Sequence, residues 1–166
     1  MTSVAISTTF QIEPTCTGDA EAILTIARSA GVFNAEEIAA VDELLHAYLV
    51  QGAEASGYHF LSCRANGHVL GFACYGPRPL THGTYDLYWI ATDKAAGRQG
   101  IGGALLQRVT EEVQRLGGQM LIIETSGLPQ YEPARRFYES HGCTRAAVIA
   151  DFYAPGDDLV IYIRHL

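Results

Sequence analysis

From Asp19 to Ala30 the apolar positions Ile23, Leu24, Ile26 and Ala27 fall on one side of a helix, with Gly31 placed as its C-terminal cap. A short extended segment, Thr9 to Glu13, precedes it and ends at Pro14. Asn34 with Glu37 three residues on reads as a capping box. That box opens a second helix carrying Ile38, Val41, Leu45, Tyr48 and Leu49, which should close near Gly52. The pattern then becomes extended. Tyr58–Arg64 and His68–Tyr75 flank Asn66-Gly67, a dipeptide that favours a tight hairpin turn, and Tyr85–Thr92 is a further strand of aromatic and branched residues.

After a loop from Asp93 to Gln99 the helical period returns. Ile101, Leu105, Val109, Val113 and Leu116 form a stripe ended by Gly117-Gly118. Met120–Glu124 is a short, nearly all-apolar run, the mark of a strand buried on both faces. Strand, helix and buried strand make a β-α-β unit, whose two strands should run parallel through a right-handed crossover. Pro133 suits the first turn of a helix that ends at His141 before Gly142. Two last strands, about Thr144–Phe152 and Leu159–Arg164, are joined by Ala154-Pro155-Gly156-Asp157 and should be antiparallel. The expectation is an α/β (α+β) fold in one domain, residues 1–166, with a mixed sheet and helices on both faces.

The segment Gly97-Arg98-Gln99-Gly100-Ile101-Gly102-Gly103-Ala104 links a strand to an amphipathic helix. Glycines at 100 and 102 let the backbone come close to a ligand. The first turn of the helix offers amide hydrogens that have no internal partner, and the helix dipole adds positive potential there. Such a turn suits a phosphate or diphosphate, and equally a plain strand-to-helix connection. A P-loop would need G-K-[ST] where Gly102-Gly103-Ala104 stands. A dinucleotide fingerprint would need glycine at Leu105, although Glu124 lies about 20 residues on, where a ribose-binding acid belongs.

Composition narrows the partners. The 166 residues carry a formal net charge of −7 and one lysine, Lys94, which gives no basic face for a nucleic acid. Hydrophobic residues make up 48%, with no run long enough to cross a membrane and no leader pattern in Met1–Phe10. Cys16, Cys63, Cys74 and Cys143 form no C-x-x-C pair, and the histidines show no zinc spacing, so no metal is expected. These features point to the cytoplasm.

The glycine turn resembles the diphosphate motif Q/R-x-x-G-x-G/A of the general N-acetyltransferase (GNAT) superfamily. Gly100, Ile101 and Gly102 match its second half, while its first position falls on Gly97, with Arg98 beside it. Ala134-Arg-Arg-Phe137-Tyr138-Glu-Ser-His-Gly142-Cys143 is similar to the family helix A-x-x-L-Y-x-x-x-G-F, with Cys143 in place of the last phenylalanine. Tyr131 stands where the family often has asparagine. The order of elements resembles the family fold over nearly the whole chain.

That resemblance implies a mostly antiparallel sheet with a central parallel pair, Tyr85–Thr92 and Met120–Glu124, splayed at its ends to admit acetyl-CoA. It implies direct transfer of the acetyl group to an amine in a ternary complex, with acetyl-CoA as the only cofactor. Ile90 and Thr92 would lie along the pantetheine arm, and Gly97, Arg98, Gln99, Gly100, Ile101, Gly102, Gly103 and Ala104 around the diphosphate. Tyr131 and Arg135 are further cofactor positions. Tyr138 is the candidate general acid, against packing of its ring in the core. Asp86 is the candidate base, against a solvated carboxylate, and Glu124 is its rival. Phe33, Tyr48, Tyr88, Trp89, Phe152 and Tyr153 either line the acceptor side or fill the core. The acceptor is left open among small-molecule and peptide amines, as is a homodimer. Two other functions stand against this one: a nucleotide-dependent oxidoreductase and a non-catalytic CoA-binding module.

Overall fold

The computed structural model describes residues 9–96 and 98–166. Residues 1–8, read above as lacking a leader, and Gly97 lie outside the described residues. Seven strands form one sheet in the order β1-β2-β3-β4-β5-β7-β6. They are β1 (Gln11–Pro14), β2 (His59–Ala65), β3 (His68–Pro77), β4 (Thr84–Thr92), β5 (Met120–Ser126), β6 (Thr144–Ala154) and β7 (Asp157–His165). The helices are α1 (Ala20–Ser29), α2 (Ala35–Ser56), α3 (Ile101–Arg115) and α4 (Glu132–Ser140). Every neighbouring strand pair is antiparallel except β4 and β5, which are parallel as the β-α-β pattern requires.

Local chemistry accounts for the boundaries. Asn34 and Glu37 exchange backbone-to-side-chain hydrogen bonds of 2.8 Å each at the start of α2. Asn66 and Gly67 both have positive φ, 51° and 79°, as a two-residue hairpin turn of primed type demands. The expected end of α2 at Gly52 needs correction. Gly52 breaks the helical path (φ 82°, ψ 168°), but the chain resumes for one more turn and stops at the left-handed cap Gly57. Ala53, Ala55 and the cap supply what that extra turn needs.

Each face of the sheet has its own core. The stripe of α3, with Leu105, Val109 and Val113 at 0% exposure, packs with Tyr138 of α4 on Ala73, Leu87, Leu121 and Ile123. On the other face α1 and α2 bring Ile23, Ile26, Val41 and Leu45 onto Phe60, Phe72 and Cys74. Gly71 on β3 lets α3 sit close: a Cβ there would lie 3.0 Å from the Ile101 side chain. The N-terminus of α3 is thereby seated beside the end of β4.

Candidate active site

The parallel pairing of β4 with β5 covers only Thr84↔Met120 to Leu87↔Ile123. Both strands continue, to Thr92 and Ser126, so they part beyond Leu87. A bulge drives the parting. Cys74 pairs with Trp89 and Tyr75 with Leu87, leaving Tyr88 as an extra residue in β4. Tyr88 and Trp89, adjacent in sequence, consequently pack on the same face, against α1 and α2.

The bulge also turns the backbone. Before it, Arg78 N–H donates to the Thr84 carbonyl (2.9 Å); after it, Asp93 N–H donates to Leu70 (2.8 Å). Alternation along an antiparallel strand then aims the amides of Asp86, Trp89 and Ala91 at β3. Those of Ile90 and Thr92 face the gap left by β5. An open strand with free amides, beside a helix N-terminus, is equipped to hold an extended acyl chain and its carbonyl oxygen.

Strand β4 connects through a loop to Gly100, which adopts φ 76° and precedes α3 without any side-chain cap. The first internal bond of the helix runs from Ala104 N–H to the Gly100 carbonyl (3.0 Å). Among the described residues, the amides of Ile101, Gly102 and Gly103 have no acceptor. The absent side chains of Gly102 and Gly103 serve packing: Cβ atoms there would lie 3.2 Å from the Phe137 ring and 2.6 Å from His141 Nε2. It is Gly100 whose positive φ demands glycine, with open space around it.

The gap opens into a cavity of about 860 Å³. Its walls include Asp86, Tyr88, Trp89 and Ile90 of β4, Glu124 and Ser126 of β5, the α1–α2 connection, Tyr138 of α4, and Tyr153 and Asp157 of the last hairpin. Arg78, at the end of β3, ties the two candidate bases together. Its Nη1 donates to Asp86 Oδ1 at 2.8 Å and its Nη2 to Glu124 Oε1 at 3.3 Å. Burial raises the Asp86 carboxyl above the usual aspartate range, against the lowering effect of Arg78, and Glu124 adds to the rise. The buried indole Nε1–H of Trp89 has no acceptor among the described residues. An orphaned donor of this kind is what a bound ligand satisfies.

The sequence profile of the acetyltransferase (GNAT) family matches residues 21–143. The chain belongs to that family. It is 41% identical to a GNAT-family acetyltransferase structure from Desulfovibrio desulfuricans, with a TM-score of 0.91 over 95% of this chain and 99% of that one. The uncharacterised N-acetyltransferase YsnE of Bacillus subtilis (strain 168) is 26% identical over 110 residues, 66% of this chain and 72% of its own length. A GNAT acetyltransferase from Elizabethkingia anophelis, solved with acetyl-CoA bound, shares the fold at 18% identity, covering 95% of this chain and 98% of that one with a TM-score of 0.70. The protein is an acetyl-CoA-dependent N-acetyltransferase, and the oxidoreductase reading of the glycine turn falls away.

Within the GNAT frame the expected residues take different places. Tyr138 is 8% exposed and reaches both the core and the cavity wall. Burial pushes its phenol well above the ordinary range, with Cys143 and Tyr162 adding to the rise. Tyr131 points across the cleft: its hydroxyl donates to the Val32 carbonyl at 2.9 Å and approaches Glu37 at 3.3 Å. The Arg135 guanidinium donates through Nη1 to the carbonyls of Ser126 (2.6 Å) and Leu128 (3.0 Å). Arg98 and Gln99 are exposed beside α3, and the Gln99 amide donates to the Ala96 carbonyl. Ile90 and Thr92 are half-buried on the open part of β4. Gly97 lies outside the described residues.

Of the aromatic candidates, Phe33, Tyr88, Trp89 and Tyr153 line the cavity. Tyr48 instead packs on Phe60 and donates to the Thr15 carbonyl at 3.0 Å, and Phe152 stays 54% exposed. Sequence reasoning passed over Arg78, Glu37 and Asp157. All three flank strand or helix ends, and no spacing along the chain brings them together.

Proposed function

We propose that acetyl-CoA lays its diphosphate on the amides of Ile101, Gly102 and Gly103 and threads its pantetheine between β4 and β5. The observation that carries this reading is the bulge at Tyr88. It frees the Ile90 and Thr92 amides at the point where β5 diverges. The Ile90 amide is then the donor for the thioester oxygen, and it stabilises the oxyanion as charge develops.

The amine acceptor enters from the Asp86–Glu124 side. Its ammonium gives a proton to Asp86, directly or through water, and the neutral nitrogen attacks the thioester carbon. The new C–N bond forms as the carbonyl π pair moves onto oxygen. Collapse of that oxyanion breaks the C–S bond; the thiolate receives a hydrogen bond and then a proton from Tyr138, which regains one from water, and the acylated nitrogen gives its extra proton to Asp86 once that carboxylate has released the first to solvent. A raised carboxyl suits Asp86 to accept a proton near neutral pH better than an ordinary aspartate. Burial keeps the phenol protonated and in place to hydrogen-bond the thiolate, while making it a weaker acid than a free tyrosine. Holding both reactants in one cleft removes much of the entropic barrier to their encounter.

The test is release of free thiol from acetyl-CoA across a panel of primary amines, with mass detection of the acetylated product. Acetylated product is expected with at least one amine, together with a rise in melting temperature with acetyl-CoA. Binding without thiol release from any amine would leave only a CoA-holding module. We also place the activity in the cytoplasm, in keeping with the four free cysteines. Two copies would pair along the free outer edge of β6, where Val148 and Ile149 are 52% and 45% exposed.

A further inference from the structure

We propose that the natural acceptor is an amine carrying a second positive charge, and that this distal cation sits against the Tyr153 ring among Glu37, Glu124 and Asp157. The inference rests on the acetyl-transfer reading above. The cavity and the opened strand ends establish the site; its charge says what enters it.

Five carboxylates line the cavity, Glu36, Glu37, Asp86, Glu124 and Asp157, against the single guanidinium of Arg78. That guanidinium is already divided between Asp86 and Glu124. An acceptor bearing a carboxylate, such as a free amino acid, finds no uncommitted cation among the described cavity residues and faces like charge. An acceptor with one ammonium neutralises one acid and leaves the others facing each other. A dication answers both groups: the reacting nitrogen at Asp86, the second charge further along the wall.

Tyr153 is brought to that wall by a departure from regular pairing. Ile149 pairs with Leu159 and Ala154 with Asp157, so residues 150–153 of β6 stand opposite one residue of β7. Asp151 turns the chain with φ 53°; its amide donates to Asp158 Oδ1 (3.0 Å), and its own carboxylate accepts from Gly156 N–H (2.6 Å). The loop so formed carries Tyr153 into the cavity lining. Three carboxylates from three elements act on its phenol: after burial, Glu124, Asp157 and Glu37 hold its pKa above the ordinary value. Asp157 is oriented by the Ser126 hydroxyl at 2.5 Å and Glu37 by the Asn34 amide at 2.8 Å. Each carboxylate keeps lone pairs for a cation, and a π-face completes the seat.

The test compares 1,4-diaminobutane, butylamine, 4-aminobutanoate, and a lysine peptide with a basic neighbour as acceptors at low salt. Initial rates are paired with calorimetry on the CoA-saturated protein. The diamine or the basic peptide is expected to exceed butylamine in kcat/KM by about tenfold or more, with 4-aminobutanoate poorest. Preference for the diamine identifies a free polyamine as the source of the second charge; preference for the peptide identifies a basic polypeptide. Added salt should shrink the ratio, as should Tyr153→Leu and Asp157→Asn, with melting temperature and the acetyl-CoA shift checking that each variant is folded. Butylamine equal to both dications in rate and in binding would overturn the proposal, as would a ratio untouched by salt and by both variants. Those outcomes leave acetyl transfer standing. Absence of transfer to any amine would instead strike the reading beneath it.

Discussion

The protein buries two aspartate–arginine pairs with opposite consequences. Asp19, 5% exposed at the start of α1, receives hydrogen bonds from the Cys16 amide (2.9 Å), the Ser62 hydroxyl (3.0 Å) and Arg64 Nε (3.1 Å), with Arg64 Nη2 closing the pair. Burial would raise its carboxyl, yet Arg64 and the donors from Cys16 and Ser62 outweigh it and hold the group below its usual range. Asp86 has one donor, Arg78 Nη1, and a second carboxylate, Glu124, across the cavity. There burial prevails and the group rises. An arginine partner is common to both. What differs is the number of donors, and with it whether the carboxylate is locked or free to take a proton.

Removing the two acids separates these roles. Asp19→Ala leaves Arg64 with only the exposed Glu13 carboxylate and strips acceptors from Cys16 and Ser62, and should cost about 3 kcal/mol. For a chain of this size that lowers the melting temperature by roughly 6–12 °C, with turnover per folded molecule unchanged. Asp86→Asn should do the reverse, lowering kcat by about a hundredfold with little change in thermal unfolding. Equal losses of stability in the two variants would erase the distinction.

Acidity sharpens the comparison further. Activity that depends on ionised Asp86 falls as pH drops through its raised value, which lies above the ordinary aspartate value of about 3.9. Arg78→Gln removes the cation that restrains it, so the acid limb of the pH–rate profile should move to higher pH. Stability from the Asp19 cluster is also lost on acidification, but at lower pH. With its folded value depressed, that contribution is complete above the unfolded value and is lost as pH falls through the folded one. An acid limb unmoved in Arg78→Gln would assign the proton to water, since Arg78 touches both carboxylates.

Much of this was legible in the sequence where chemistry is local. Asn66-Gly67, the Asn34–Glu37 box and the α3 stripe each act within a few residues, and each forms as its pattern requires. The parallel pair follows from strand, helix and buried strand in succession. The bulge at Tyr88 was not legible, because Leu87-Tyr88-Trp89-Ile90 reads as an ordinary run of strand formers and no glycine or proline marks the extra residue. Arg135 shows a related limit: its motif position gives no sign that the Ser126 and Leu128 carbonyls claim its guanidinium. Arg78, Glu124 and Asp157 meet only because three strand ends converge, and that is a property of the sheet.

The central claim is that the parted strands and the uncapped start of α3 grip the cofactor. Its most direct test is a crystal structure of the protein with acetyl-CoA. The diphosphate should lie about 3 Å from the amide nitrogens of Gly102 and Gly103, with the thioester oxygen at the Ile90 amide and the sulfur facing Tyr138. A nucleotide seated elsewhere, or a thioester outside the gap between β4 and β5, would contradict the account.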